Sequence, residues 1–194
     1  MTLDQLNSLD REAFTRTLGA VFEHSPWVAE GAWPRRPYTS VEALHAAMCE
    51  VVRQAGPAAQ LGLIRAHPQL AGKAAVAGAL SADSTREQRG AGLDQCSPAE
   101  YLRLAELNAG YEARFGFPYI LAVRGYDRQG ILANLAARLS NARQAEMAEA
   151  LRQIERIAAL RLADMMGTPV PALLQGDVTQ RLFAGSDRHD RTAR

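Results

Sequence analysis

No stretch of this 194-residue chain approaches the roughly 20 consecutive apolar residues that cross a bilayer, and Met1-Thr2-Leu3-Asp4-Gln5 carries neither the basic region nor the apolar core of a secretory leader. No membrane partner is expected, and the chain reads as cytoplasmic. Cysteine is scarce: Cys49 and Cys96 show no CxxC spacing, which argues against a disulfide framework and structural zinc and suits reduced thiols. Charge of one sign is missing too. With 22 Lys and Arg against 21 Asp and Glu, the formal charge of +1 leaves no broad basic face for a phosphate backbone, so nucleic acid is not an expected partner. There is also no internal repeat, no glycine-rich phosphate loop and no sustained heptad.

What is present is an ordinary globular composition, 47% hydrophobic and 22% charged, long enough for one complete core. Apolar residues recur at helical spacing in nearly every segment. Leu6, Leu9, Phe14, Leu18 and Val21 predict a helix that Asp10 can cap and whose last turn approaches His24. From Val28 to Thr39, Gly31, Pro34 and Pro37 with Trp27, Trp33 and Tyr38 predict an ordered loop anchored by aromatics. Ser40 caps a helix over about 41–55, and a second piece, 58–66, delivers the chain to His67-Pro68. After a stretch of small residues, Ser81 or Ser84 begins another helix. Ser97-Pro98-Ala99-Glu100 combines an N-cap, a proline at the first helical position and a glutamate at the third. The run Phe117-Pro118-Tyr119-Ile120-Leu121-Ala122-Val123 reads as a buried strand or an extended crossing of the core, with no second strand to pair with it. Helices over 130–140 and 142–166 follow, the last closed by Gly167, Pro169 and Pro171. The expectation is one all-α domain, a helical bundle over residues 1–176, with a polar tail over 177–194.

Three positions carry candidate chemistry. His67 stands at a proline stop, where an imidazole can face a cavity; its ordinary reading is a helix-end histidine stabilised against exposed carbonyls by roughly 0.3–1 kcal/mol. Glu87 has the spacing of a capping box with Ser84, unless the helix starts at Ser81, in which case Ser84, Glu87 and Gln88 form one polar wall at i, i+3 and i+4. Arg161 lies on the apolar stripe of Ile154, Ile157, Ala158 and Met165 and so needs solvent, a buried carboxylate or a ligand as partner. His45 and Cys49 share a helix face, but two ligands without a third are usually packing residues. Asn108, Tyr111 and Arg114 read as surface polar groups.

Taken together, His67-Pro68-Gln69-Leu70-Ala71-Gly72-Lys73, Ser84-Thr85-Arg86-Glu87-Gln88 with Gly90-Ala91-Gly92-Leu93-Asp94, and Leu107-Asn108 through Tyr111 to Phe115-Gly116-Phe117-Pro118-Tyr119-Ile120 resemble one family in order and spacing, from about Trp27 to Met166. It is the 2-oxo-4-hydroxy-4-carboxy-5-ureidoimidazoline (OHCU) decarboxylases of urate breakdown. The resemblance implies an all-α fold, a homodimer, no metal or organic cofactor, and conversion of OHCU to (S)-allantoin and carbon dioxide. It puts the catalytic histidine on His67, and our own expectation is that Glu87 orients and tunes it. Substrate binding falls on Pro68, on Ser84, Thr85, Arg86, Glu87 and Gln88, on Tyr119, Ile120, Leu121, Ala122 and Val123, and on Arg161. Gln69 stands where the family pattern has an acidic residue, and Thr192-Ala193-Arg194 lacks the Ser-Lys-Leu address of peroxisomal relatives. Two other expectations compete with the decarboxylase: a non-catalytic helical binder of a purine-derived ligand, and a ureide hydrolase in which His67 and Glu87 activate water.

Overall fold

The computed structural model describes residues 1–72, 75 and 77–169; the expected tail over 177–194, the end of the domain at 176 and Lys73 lie outside the described residues. Nine helices are described: α1 Leu3–Asn7, α2 Arg11–Leu18, α3 Pro26–Ala32, α4 Val41–Gln54, α5 Gly56–Ala66, α6 Ala82–Gly90, α7 Pro98–Phe115, α8 Arg128–Arg138 and α9 Arg143–Met166. Short 3-10 turns occupy Trp33–Arg35 and Leu93–Gln95, and there is no strand among the described residues.

The helix boundaries follow from capping chemistry. Thr2 with Gln5 and Ser97 with Glu100 close reciprocal capping boxes, while Asp10, Ser40 and Asp127 each accept from the third amide of the helix they start. At the other end, α7 and α9 stop on Gly116 (φ 76°) and Gly167 (φ 64°), left-handed positions where a Cβ would be strained. The start of α6 resolves an open choice: Ser81 is the cap, its Oγ accepting from the Ser84 amide at 3.2 Å.

Two segments differ from the sequence expectation. The first predicted helix is two, because Ser8, Leu9 and Asp10 break it and a new cap begins α2. The expected loop after Val28 instead contains α3: Pro26 occupies the first helical turn, where its missing N–H costs nothing, and Val28, Ala29 and Ala32 are buried. Only the part past the 3-10 turn at Trp33–Arg35 is irregular, held by Arg36, which stacks on Trp33 at 4.3 Å and donates to the carbonyls of Asn7 and Leu9 at 2.7 and 2.6 Å.

α9 is the central element. It packs against α4 and α5, while α3 packs between α2 and α4 and α8 packs on α7. Ile154, Ile157, Ala158 and Leu162 of α9 join Phe14, Leu18, Phe22, Leu44, Met48, Leu63 and Ile64 in one core. Each large apolar side chain so buried contributes about 1.5–3 kcal/mol. The Phe117–Val123 run is an irregular crossing of that core rather than a strand. Its Phe117 and Tyr119 rings lie 6.0 and 5.4 Å from the ring of Tyr111, edge on.

Candidate active site

The end of α5 sets the first residue of the site. Pro68 cannot continue the helix, so the chain turns extended at His67 (φ −77°, ψ 137°) and the imidazole folds back on the last turn. His67 Nδ1 donates to the Leu63 carbonyl at 2.9 Å. Because a carbonyl can only accept, this bond fixes the proton on Nδ1 and leaves Nε2 with a bare lone pair. Nε2 is buried with no partner among the described residues, and the residue is 6% exposed. Burial, chiefly, pushes the ring down to about 4; the Leu63 bond and Glu23 oppose this, while Arg161 and His24 reinforce it. At neutral pH the imidazole is therefore uncharged and shaped as a base. The stem beneath it is steadied where Arg65 donates to the Gly116 carbonyl at 3.0 and 3.1 Å, tying the end of α5 to the end of α7.

Starting α6 at Ser81 puts Ser84, Glu87 and Gln88 on one face, opposite Arg161 of α9. The guanidinium has five N–H donors, and each is engaged. Nε and Nη2 hold the two Glu87 oxygens at 2.8 and 3.0 Å, and Nη2 also donates to Ser84 Oγ at 3.3 Å. Nη1 donates to the Ala20 carbonyl at 3.0 Å and pairs with Glu23 at 2.8 Å. The Ser84 hydroxyl donates a hydrogen bond to Glu23 Oε2 at 3.0 Å. Of the three partners open to Arg161 from its position on an apolar stripe, carboxylates are the ones it has, the buried Glu23 and the partly buried Glu87. They hold its charge: burial works against the guanidinium, and Glu87 and Glu23 outweigh it, so its affinity for the proton is raised. Gln88 accepts from the Ala71 amide at 2.9 Å through Oε1, which leaves its amide donors without an intramolecular partner among the described residues.

These groups border a narrow cleft, partly open to solvent, lined by His67, Pro68, Leu70, Ser84, Glu87, Gln88, Tyr119, Ile120, Leu121, Val123, Ile157 and Arg161. A cleft of apolar walls with a few convergent polar groups is the form a small-molecule site takes. Most of the expected site residues thus meet. Three do not: Thr85 faces a separate concavity beside Ala71 and Leu93, Arg86 is exposed and pairs with Asp83 at 3.0 Å, and Ala122 turns its amide to Gln153 at 3.0 Å. The expected contact of Glu87 with His67 is also replaced. Both Glu87 oxygens face and bond Arg161, and the Leu63 carbonyl orients the imidazole instead.

A family profile described as OHCU decarboxylase matches residues 7–163. The chain belongs to the OHCU decarboxylase family. The uric acid degradation bifunctional protein PucL of Bacillus subtilis strain 168 is 45% identical over 165 residues, 85% of this chain; the chain spans about a third, 33%, of that longer protein. A Haloferax volcanii 2-oxo-4-hydroxy-4-carboxy-5-ureidoimidazoline decarboxylase is 40% identical over 164 residues, covering 84% of this chain and 95% of the relative. Among solved structures, an (S)-allantoin synthase superposes with a TM-score of 0.69 at 29% identity, over 84% of this chain and 54% of that one.

Glu23 is the residue that reading the OHCU decarboxylase motifs missed. It is 1% exposed, sits in the break between α2 and α3, and bonds both Arg161 and Ser84. Burial raises its carboxyl, but Ser81, Arg161 and Ser84 together outweigh this and hold it below the ordinary range. A signal existed, since a carboxylate directly after Val21-Phe22 in a core segment needs a partner for the same reason Arg161 does. Asn108 and Tyr111, expected at the surface, are buried; Asn108 donates to the Leu70 carbonyl at 3.0 Å and so fixes one rim of the cleft. His45 and Cys49 are packing residues: His45 Nε2 donates to the Glu155 carbonyl at 2.8 Å, and burial pushes the Cys49 thiol up to about 12. No third His, Cys, Asp or Glu joins them in a cluster among the described residues.

Proposed function

We propose that this protein decarboxylates OHCU to (S)-allantoin and carbon dioxide, with His67 as acid/base and no cofactor. The observation that carries the reading is the bare, buried Nε2 of a neutral His67 on a cleft that also holds Ser84, Glu87, Gln88 and Arg161. OHCU bears its carboxylate and hydroxyl on a ring carbon next to a C=N bond. When carbon dioxide leaves, the C–C electron pair moves into the ring and the C=N pair moves onto nitrogen, which takes up one proton. The substrate is its own electron sink. The resulting enol loses its hydroxyl proton, and the ureido-bearing carbon gains one on a single face, which sets the stereocentre. His67 Nε2 suits the first of these transfers as acceptor and the second as donor.

The rest of the cleft serves orientation, holding the breaking bond perpendicular to the ring π system. Glu87, held at both oxygens, keeps lone pairs for ureido N–H groups, and Gln88 has amide donors for ring or ureido oxygens. Arg161 has no donor to spare, so its part is to hold Glu87 and Ser84 in place rather than to take the substrate oxygen. Pro68 and the Tyr119–Val123 segment supply the walls.

The deciding experiment supplies freshly generated OHCU and measures carbon dioxide and product chirality. A stimulated release of gas with (S)-allantoin is the expected result. A binder would release no extra gas, and a ureide hydrolase would yield a ureido acid, so either outcome overturns the proposal. We further take the protein to be a cytoplasmic homodimer, as the family resemblance implies. The free thiols of Cys49 and Cys96 suit a reducing compartment, and exposed Tyr101 and Leu102 offer a second copy an apolar patch on α7. Light scattering that finds a monomer at micromolar concentration would remove the dimer.

A further inference from the structure

Behind the cleft lies a buried ion pair that the reaction does not use. Arg138 of α8 and Glu146 of α9 are 7% and 0% exposed; Arg138 Nε donates to Glu146 Oε1 at 2.7 Å, and Nη2 and the Tyr111 hydroxyl donate to the same oxygen. Asn141 Nδ2 donates to the other oxygen at 2.6 Å. A buried pair of this kind gains little stability over well-packed apolar residues of the same volume, so its place in the core calls for another reason. The reason is the remaining arm of the fork. Arg138 Nη1 donates to the Ile120 carbonyl at 2.7 Å, and the guanidinium lies 4.8 Å from the centre of the Tyr119 ring.

We propose that Arg138 is a positioning residue, a strut whose bond to the Ile120 carbonyl decides which backbone groups of the Tyr119–Val123 wall face the substrate. The wall is pinned from behind at two further points. The Ala122 amide donates to Gln153 Oε1 at 3.0 Å, and the Val123 carbonyl accepts from the Tyr126 amide at 2.9 Å. With these three groups turned away, the amides of Leu121 and Val123 have no intramolecular partner among the described residues, and both residues line the cleft. An irregular segment has no ladder to fix its register. Slipping by one residue would exchange the groups facing the substrate for those facing the core, and Arg138 and Gln153 resist that slip. A planar fork is required, because a lysine ammonium cannot span Glu146 and the Ile120 carbonyl with the same geometry.

The proposal rests on the decarboxylase reading only for its kinetic consequence. Arg138→Lys and Glu146→Gln both upset the ion pair, but only the first removes the fork on Ile120. Arg138→Lys is expected to raise KM for OHCU roughly tenfold with a smaller change in kcat, whereas Glu146→Gln lowers the melting temperature and leaves KM within about twofold. Hydrogen exchange needs no substrate: amides in the Ile120–Val123 segment exchange faster in Arg138→Lys and not in Glu146→Gln. If the native protein releases no carbon dioxide, the decarboxylase reading fails while the exchange comparison still judges the strut. Should Arg138→Lys not fold, Gln153→Met releases the Ala122 amide without touching the charge pair, and the same rise in KM and exchange is expected. Equal effects of Arg138→Lys and Glu146→Gln on KM and exchange, or no effect of Arg138→Lys and Gln153→Met on either, would overturn the proposal.

Discussion

Glu23 and Arg161, 138 positions apart in the chain, form a 2.8 Å ion pair with side chains 1% and 6% exposed. It locks the break between α2 and α3 to the C-terminal part of α9, and through Arg161 it holds Glu87 and Ser84 at the cleft. Truncation to Arg161→Ala leaves Glu23 buried and uncompensated, which costs about 3–5 kcal/mol of folding stability. Glu23→Gln costs less, because Arg161 keeps Glu87 and the amide still accepts from Ser84. Arg161→Lys keeps a charge but cannot serve Glu87, Glu23, Ser84 and the Ala20 carbonyl together, so kcat/KM is expected to fall even well below the melting temperature. Urea midpoints and steady-state kinetics on the three variants test this order. Normal kinetics in a folded Arg161→Lys protein would show that the network is structural only.

Replacing His67 by Asn keeps much of the side chain's shape, and its amide can still donate to the Leu63 carbonyl, but the lone pair at the Nε2 position is lost. Activity is expected to drop by roughly 10² or more, with the circular dichroism spectrum and melting temperature near those of the native protein. Near-native turnover would remove His67 from the chemistry.

Much of this site is legible in the sequence, for reasons that differ by residue. His67 can be placed because Pro68 stops a helix whatever surrounds it, and the polar wall of α6 follows from the cap once Ser81 is chosen. Arg161 stands out because an apolar stripe makes a charge conspicuous. What it meets is not legible: Glu23 lies in a helix break, where no periodicity predicts a facing direction, and the pair joins residues far apart in the chain. The same limit applies to α3, where proline, glycine and tryptophan spell a loop locally while burial of Val28, Ala29 and Ala32 selects a helix. Thr85, Arg86 and Ala122 do not line the cleft, since a motif read as a continuous string takes in residues that a helix or an extended turn points elsewhere.

Because the electron pair released with carbon dioxide goes into the substrate's own C=N bond, the reaction as proposed needs no metal. Protein dialysed against a strong chelator is expected to keep its full rate of carbon dioxide release. Activity that disappears on chelation and returns with a divalent cation would overturn the mechanism while leaving the fold assignment untouched.

The buried imidazole also predicts how the protein responds to acid. In the fold His67 takes a proton only near pH 4, whereas in the unfolded chain a histidine does so near about 6.5. Between those values the unfolded state binds a proton that the folded state refuses, so stability rises with pH across the window. It is fully present above about 6.5 and is lost progressively as the pH falls toward 4. His45, also lowered by burial, adds loss of the same sign, and Glu23, held below its ordinary value of 4.5, adds more only at the lower end. His67→Asn should therefore flatten the slope of urea midpoint against pH between about 6.5 and 4.5, while keeping the steeper loss beneath it. The rate profile should agree: the acid limb of kcat/KM belongs near pH 4, because His67 stays a neutral base well below 6.5. Matching slopes in the native and His67→Asn proteins, together with an acid limb near 6.5, would mean that the imidazole is solvated and titrates like a free one.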